Sequence, residues 1–374
     1  MIGLFSFFSG AGFLDLGFEK TNQYEVLYVN EFNPSFNRIY RYARENIGIR
    51  EPKFGYHIGD INELLNDSSK NLELRTYLKN ACNRCDLRLI GFIGGPPCPD
   101  FSVAGKNRGK DGDNGKLSQS YVDLICEMQP DFFVFENVKG LYRTEKHRSF
   151  FEQLKKQLFE SNYYLTEQLI NAIEFGAPQD RDRIILIGFH ERTKQRIGFE
   201  TQDAWIIDFD WEKNKKYSRD VLKGIWPKCS PYQEGVETPK PDGVIEELTV
   251  QYWWNKNEVE KHPNGDMYFH PRAGLYRFKT KDEGDDLKKC YKRLHRWRYS
   301  PTAAYGNNEV HLHPYLPRRI SVAEALAIQS LPKEFIIPTD ITLSSAFKTI
   351  GNGVPYLAAR GIALNILDFI NSTR

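Results

Sequence analysis

Short apolar runs recur along the first half of the chain, each closed by a turn or a carboxylate and several followed by apolar residues at helical spacing. Ile2 to Phe8 ends in Ser9-Gly10-Ala11-Gly12, after which Phe13, Leu14, Gly17 and Phe18 recur with a helical period. Glu25 to Val29 ends in Asn30-Glu31, Leu89 to Ile93 in Gly94-Gly95-Pro96-Pro97, and Phe132 to Phe135 in Glu136-Asn137-Val138. Buried strands alternating with helices call for a mainly parallel sheet covered on both faces, an α/β fold. Such sheets place their chemistry at the carboxyl ends of the strands.

Composition narrows the class. A chain of 374 residues, 40% hydrophobic and 14% aromatic, supports a large core. A net charge of +2 and a pI near 8.1 do not by themselves indicate nucleic acid, so any basic surface must come from local clustering. No apolar run reads as long enough to span a membrane, and the amino terminus lacks a signal-peptide pattern, which implies a cytoplasmic protein. Six scattered cysteines fit a reducing compartment, and the Cys82–Cys85 pair has no second pair to complete a zinc site.

The strand ends carry the candidate chemistry. Cys98 follows two glycines and lies between prolines, a rigid setting suited to a nucleophile; the alternative is a buried small apolar residue. Glu31 falls about 20 residues past the glycine turn, where a carboxylate accepts from ribose hydroxyls. Asp60, in His57-Ile58-Gly59-Asp60-Ile61, is placed to accept from an adenine amino group, with Ile61 packing on the ring. Singly, such carboxylates are solvated loop residues; in series they suggest a nucleotide-like ligand. Val103 to Lys116 reads as a basic lid loop with Lys106, Arg108, Lys110 and Lys116, and Ser118 to Met128 as a helix. Glu136 sets a carboxylate beside the thiol. Arg181 and Arg183 share a face with Gln179 and suit a phosphate and a base oxygen, or an ion-pair ladder with Asp180 and Asp182.

From about His190 to Leu316 the alternation gives way to irregular sequence rich in tryptophan, with basic clusters at 213–216 and 292–298. It reads as a second domain or large insertion, open between nucleic-acid contact and a plain α+β role. Regular pattern returns with Ser321 as the N-cap of a helix at Val322 to Gln329, Glu324 completing a capping box, and a last helix from Tyr356 to Asn371.

In this order the blocks resemble the cytosine-C5 DNA methyltransferase family along essentially the whole catalytic part. Phe8-Ser9-Gly10-Ala11-Gly12 resembles its cofactor turn, Gly95-Pro96-Pro97-Cys98 its nucleophile motif, Glu136-Asn137-Val138 its acidic triplet and Gln179-x-Arg181-x-Arg183 its paired arginines. Arg319 to Pro332 and Gly351-Asn352 resemble its last blocks. The resemblance implies a Rossmann-like, S-adenosylmethionine-dependent catalytic domain over 1–189, a target-recognition domain over 190–317, and a segment, 318–374, that completes the first. It implies Cys98 as the thiolate attacking C6 of a flipped-out cytosine, Glu136 on N3 and the 4-amino group, Arg183 on O2, and Arg181 on a phosphate or the loop bearing Cys98. The cofactor would lie against Phe8, Gly10, Gly12, Leu14, Glu31, Phe32, Asp60, Ile61, Pro97, Leu117, Asn352 and Val354, with no metal. Duplex DNA would meet Ser102, Lys106, Arg108 and Thr302.

Two positions depart from the pattern: Phe13 replaces a glycine of the cofactor turn, and Thr302-Ala303 stands where the family carries Thr followed by Leu or Val. The short ends favour a compact prokaryotic modification enzyme, a monomer with no membrane partner. It would be an orphan or would share its site with a cognate restriction endonuclease without an obligatory complex. A related group acting on transfer RNA carries a Cys-Phe-Thr tripeptide that is absent here. A non-catalytic DNA-binding protein would not need Cys98, Glu136, Arg181 and Arg183 together.

Overall fold

Along β1 (Ile2–Phe7), Ile2 and Leu4 face one side of a sheet and Phe5 and Phe7 the other, so a single strand seeds two cores. The computed structural model describes residues 1–97, 113–271, 275–288, 290–305 and 309–372. After β1 come α1 (Phe13–Glu19), β2 (Tyr24–Asn30), α2 (Pro34–Ile47), β3 (Tyr56–His57), α3 (Ile61–Asn66), α4 (Ser68–Cys82), β4 (Leu89–Gly94) and α5 (Asp113–Met128). Next are β5 (Phe132–Val138), α6 (Glu145–Glu160), β6 (Tyr163–Asn171), β7 (Asp182–His190), α7 (Glu191–Ile197), β8 (Thr201–Gln202) and β9 (Trp205–Ile206). The irregular stretch holds α8 (Val250–Lys256) and α9 (Leu275–Thr280), and the chain closes with α10 (Val322–Ile328), α11 (Leu343–Asn352) and α12 (Tyr356–Ser372).

The sheet runs β3-β2-β1-β4-β5-β7-β6-β9-β8. Strands β3 to β5 pair in parallel, whereas β7 is antiparallel to both β5 and β6. The chain winds outward from β1 to β3 and then returns to β4 on the other side of β1. The carboxyl ends of β1 and β4 therefore flank the crevice where doubly wound sheets bind ligands. One face of the sheet packs on α1 and α12, the other on α3 to α6. Phe5, Phe92 and Phe133 are fully buried in the second core, each contributing about 2 kcal/mol.

A third core joins parts distant in sequence. Phe13 and Leu16 of α1 and Ile39 and Ala43 of α2 pack with Trp253 and Trp254 of α8, Tyr305, and the apolar faces of α10 and α11. At its centre Ser321 caps α10 with Glu324 in a capping box, as the sequence pattern indicated.

Several boundaries differ from expectation. The sheet continues past residue 189, because β9 pairs with β6 and Ile206 and Phe209 join the first core. Helix α5 begins at Asp113, so Lys116 sits in a helical turn rather than in the loop. Helix α2, absent from the sequence reading although Phe36, Ile39, Tyr40 and Ala43 recur at helical spacing, is started by Asn33, whose side chain accepts from Ser35 and Phe36 backbone N–H groups, with Pro34 at the first turn. The stretch Leu343–Ser372 is long and apolar enough to cross a membrane by length and composition, against the sequence reading. It is two helices broken at 353–355, and 61% of its most apolar window is buried in the protein, which accounts for its composition.

Candidate active site

Register brings the strand ends together. Phe7 pairs with Gly94 and Gly94 with Phe135, so the next residues, Phe8, Gly95 and Glu136, form one row at the mouth of the crevice. The chain leaving β1 is bent sharply: Phe8 has φ 53°, Gly10 55° and Gly12 79°. A left-handed conformation strains Phe8, a feature the sequence does not signal. A Cβ at Gly12 would stand 2.5 Å from the Tyr40 ring. That ring is fixed from beneath, since Tyr40 donates to Asp15 Oδ2 at 2.7 Å and Ser6 to Asp15 Oδ1 at 2.8 Å. Burial pushes the Asp15 carboxyl up, against these bonds and the Arg44 charge.

The residues around this turn suit a nucleoside ligand with a polar tail. Glu31, buried, accepts from Gly10 N–H and Asn33 N–H, each at 2.8 Å, which ties β2 to the glycine turn. Beside Gly10 the nearest atom to an added Cβ is Thr349 Oγ1 at 3.9 Å, and the buried hydroxyls of Thr349 and Ser9 have no partner among the described residues. The Phe32 ring is 71% exposed, an uncovered apolar plate at the end of β2. Asp60 caps α3 by accepting from Asn62 N–H at 2.9 Å. Pro97 and Leu117 are half-buried and Asn352 is exposed. Leu14, Ile61 and Val354, expected to touch the cofactor, instead turn into the cores, leaving mainly their backbone to a ligand. Among the described residues no group of three or more His, Cys, Asp or Glu is placed to hold a metal ion.

Glu136 lies at the floor of the row. Its Oε2 is 2.6 Å from where a Cβ of Gly95 would be, so a side chain at 95 would have to displace the Glu136 carboxylate. Arg183 Nε stands 2.7 Å from Glu136 Oε1 but is poorly aligned for a hydrogen bond. Burial raises the Glu136 carboxyl above its usual range although Arg183 and Arg181 oppose the shift. Asn137 donates to Pro96 O at 3.4 Å and so pins the β4 exit to β5. Cys98, Ser102, Lys106 and Arg108 lie outside the described residues.

Arg181 departs from one of its two expected roles, the phosphate; the other, contact with the segment bearing Cys98, falls on residues outside those described. Its side chain is 1% exposed, and its guanidinium donates to Ala303 O and to Gly351 O, both at 2.7 Å, which leaves it unavailable to a DNA phosphate. Nor does an ion-pair ladder form with its neighbours: Asp182 pairs with Lys139 and Arg219. The Thr302 hydroxyl, expected to meet DNA, donates to Asp180 O at 2.6 Å.

The basic cluster at 292–298 is largely internal, whereas in the one at 213–216 Lys215 is covered and Lys213 and Lys216 are about half exposed. Arg293, fully buried, donates to backbone carbonyls of Phe278, Lys281, His313 and Leu316. Arg296 grips Glu283 with two bonds of 2.9 Å. Lys215 pairs with Glu174 at 3.0 Å, and Lys216 with Glu247. For Arg293 and Arg296, at least, the internal alternative holds: a buried cation surrounded by carbonyls and carboxylates stabilises an irregular chain instead of meeting a partner.

Comparison with known proteins agrees with this geometry. The family model of C-5 cytosine-specific DNA methylases matches residues 2–368. The chain is 58% identical to the type II methyltransferase M.NmeDI of Neisseria meningitidis serogroup C, across 99% of this chain and 84% of that one. It is 26% identical to M.FnuDI of Fusobacterium nucleatum, covering 98% and 95%. Among solved structures, a prophage-encoded E. coli chain described as a DNA modification methyltransferase superposes with a TM-score of 0.65 at 22% identity, covering 99% of this chain and all of that one. A strained glycine turn, a buried acid beside the β4 exit and a match along nearly the whole length lead to one assignment: the chain belongs to the C-5 cytosine-specific DNA methylase family.

Proposed function

We propose that the chain methylates C5 of cytosine within a specific sequence of duplex DNA, as the modification enzyme of a type II restriction-modification system or as an orphan. The observation that carries this reading is Glu136, a buried carboxyl whose affinity for its proton is raised by burial, set next to the β4 exit that leads to Cys98. The type II methyltransferases among its relatives support it.

Cytosine C5 is a poor nucleophile. In the proposed reaction the Cys98 thiolate adds to C6, which turns C5 into an enamine carbon. Glu136 donates its proton to N3 as charge develops there and accepts from the 4-amino group, while Arg183 binds O2. S-adenosylmethionine, when bound, supplies the methyl group, and its sulfur keeps the electron pair of the broken bond. Loss of the C5 proton to a base then expels Cys98 and restores the ring.

On this reading Phe32 covers the adenine, Glu31 the ribose, and Ser9 and Thr349 the polar tail. The stacked base must leave the duplex, at a cost of a few kcal/mol; the segment carrying Ser102, Lys106 and Arg108 is proposed as the clamp. Residues 190–317 are proposed to read the sequence and 318–374 to complete the catalytic domain. The protein is proposed to act in the cytoplasm as a monomer, without an obligatory complex with any endonuclease.

The test is transfer of labelled methyl from S-adenosylmethionine to mixed-sequence duplex DNA and, in parallel, to transfer RNA. Label in DNA that Cys98→Ala abolishes supports the reading. Label confined to RNA, or transfer by Cys98→Ala, contradicts it.

A further inference from the structure

Three stretches far apart in sequence meet at one buried side chain. Arg181 precedes β7 by one residue, Ala303 belongs to the irregular region, and Gly351 ends α11 beside Asn352. Both arginine bonds are 2.7 Å and fully buried. Gln179 extends the seam: its Oε1 accepts from Ala303 N–H at 3.0 Å, and its Nε2 donates to Gln329 Oε1 at 3.1 Å. The backbone adds a parallel bridge, with Asp180 N–H donating to Ser300 O at 2.9 Å and Ser300 N–H to Pro178 O at 2.8 Å. Gly351 must be glycine here, since a Cβ would stand 2.7 Å from Tyr305 N. Two residues beyond Arg181, Arg183 faces Glu136.

We propose that Arg181 is a positioning residue that latches the recognition region and the cofactor-side segment to the catalytic sheet, so that docking of residues 300–305 sets the placement of Arg183 and Glu136. Its role is to hold two carbonyls in a fixed fork, which a lysine ammonium cannot reproduce. The inference rests on the proposed reaction for its link to rate, but the latch is a property of the free protein.

The test compares wild type, Arg181→Lys and Thr302→Val, the last cutting the Thr302–Asp180 bond while leaving Arg181 intact. In the free protein, amide exchange in Arg181→Lys accelerates roughly tenfold or more in both 300–305 and 349–353, while β1 and β4 stay protected. Thr302→Val accelerates 300–305 alone. With saturating DNA, kcat of Arg181→Lys falls about 10²-fold, with KM for DNA little changed. In Arg181→Gln, which removes the charge, the salt dependence of DNA binding keeps its wild-type slope. A slope reduced by about one in that variant, the mark of a lost phosphate contact, would overturn the proposal. So would unchanged exchange in either segment of Arg181→Lys. Wild type run in parallel keeps the claims apart: failure to methylate DNA counts against the reaction, whereas the exchange pattern bears on the latch alone.

Discussion

Arg183 and Glu136 meet diagonally across the β5–β7 ladder. Arg183 pairs in register with Val138, two residues beyond Glu136, so both side chains share a face, and Nε reaches Oε1 at 2.7 Å. An antiparallel strand inserted next to the last parallel one thus delivers a cation to the acid at the crevice. Replacing Arg183 by Ala removes the donor proposed for the base oxygen. We expect kcat to fall about 10²- to 10³-fold, read in single-turnover methyl transfer, with cofactor affinity unchanged. A loss confined to KM for DNA would assign Arg183 to ground-state binding instead.

The raised Glu136 carboxyl sets a pH dependence. Burial keeps its proton on to higher pH than an ordinary carboxyl, so a reaction needing that proton persists there and declines as pH rises through the raised value. Glu136→Gln carries a permanent donor in place of the acid. It should transfer methyl much more slowly but lose the alkaline decline that Glu136 causes, and a profile of the same shape in both proteins would exclude that role.

Glu324 is the opposite case. Burial alone would raise its carboxyl; His313 and the paired bonds from Arg318, 2.8 and 2.6 Å, outweigh burial and bring it to about 2. His313 is itself pushed down by burial, against the pull of Glu324. A depressed folded value means stability that is present above the ordinary 4.5 and lost as pH falls toward 2. Glu324→Gln should cost about 2–3 kcal/mol at neutral pH by chemical denaturation and flatten the acid loss between those limits.

Gly12→Ala tests the cofactor turn. The position combines φ 79° with a Cβ site 2.5 Å from the Tyr40 ring, so the variant must shift the ring or the turn. We expect a loss of about 1–3 kcal/mol in stability and weaker binding of S-adenosylmethionine by calorimetry. Unaltered affinity would mean that the turn does not shape the ligand site.

What the sequence made legible was local. The strand exits at Gly10, Glu31, Gly95 and Glu136 follow from apolar runs ended by turn or acidic residues, and register then aligns Phe8, Gly95 and Glu136. The capping box of Ser321 and Glu324 is likewise written in four consecutive residues. Long-range partnership was not legible. Nothing near Arg181 announces that its ligands are the carbonyls of Ala303 and Gly351, and nothing in the run 292–298 distinguishes a buried arginine from one facing phosphate. Helix α2 lay within reach of the sequence, since Phe36, Ile39, Tyr40, Ala43 and Ile47 recur at helical spacing behind the Asn33 cap.

The most direct test of the account is a duplex whose target cytosine carries fluorine at C5, incubated with the protein and S-adenosylmethionine. Fluorine cannot leave as a proton does, so the chain and DNA should stay covalently joined after denaturation, with the modified peptide carrying Cys98. Methylation of ordinary cytosine with no such adduct, or an adduct on another residue, would contradict the covalent mechanism built on Cys98, Glu136 and Arg183.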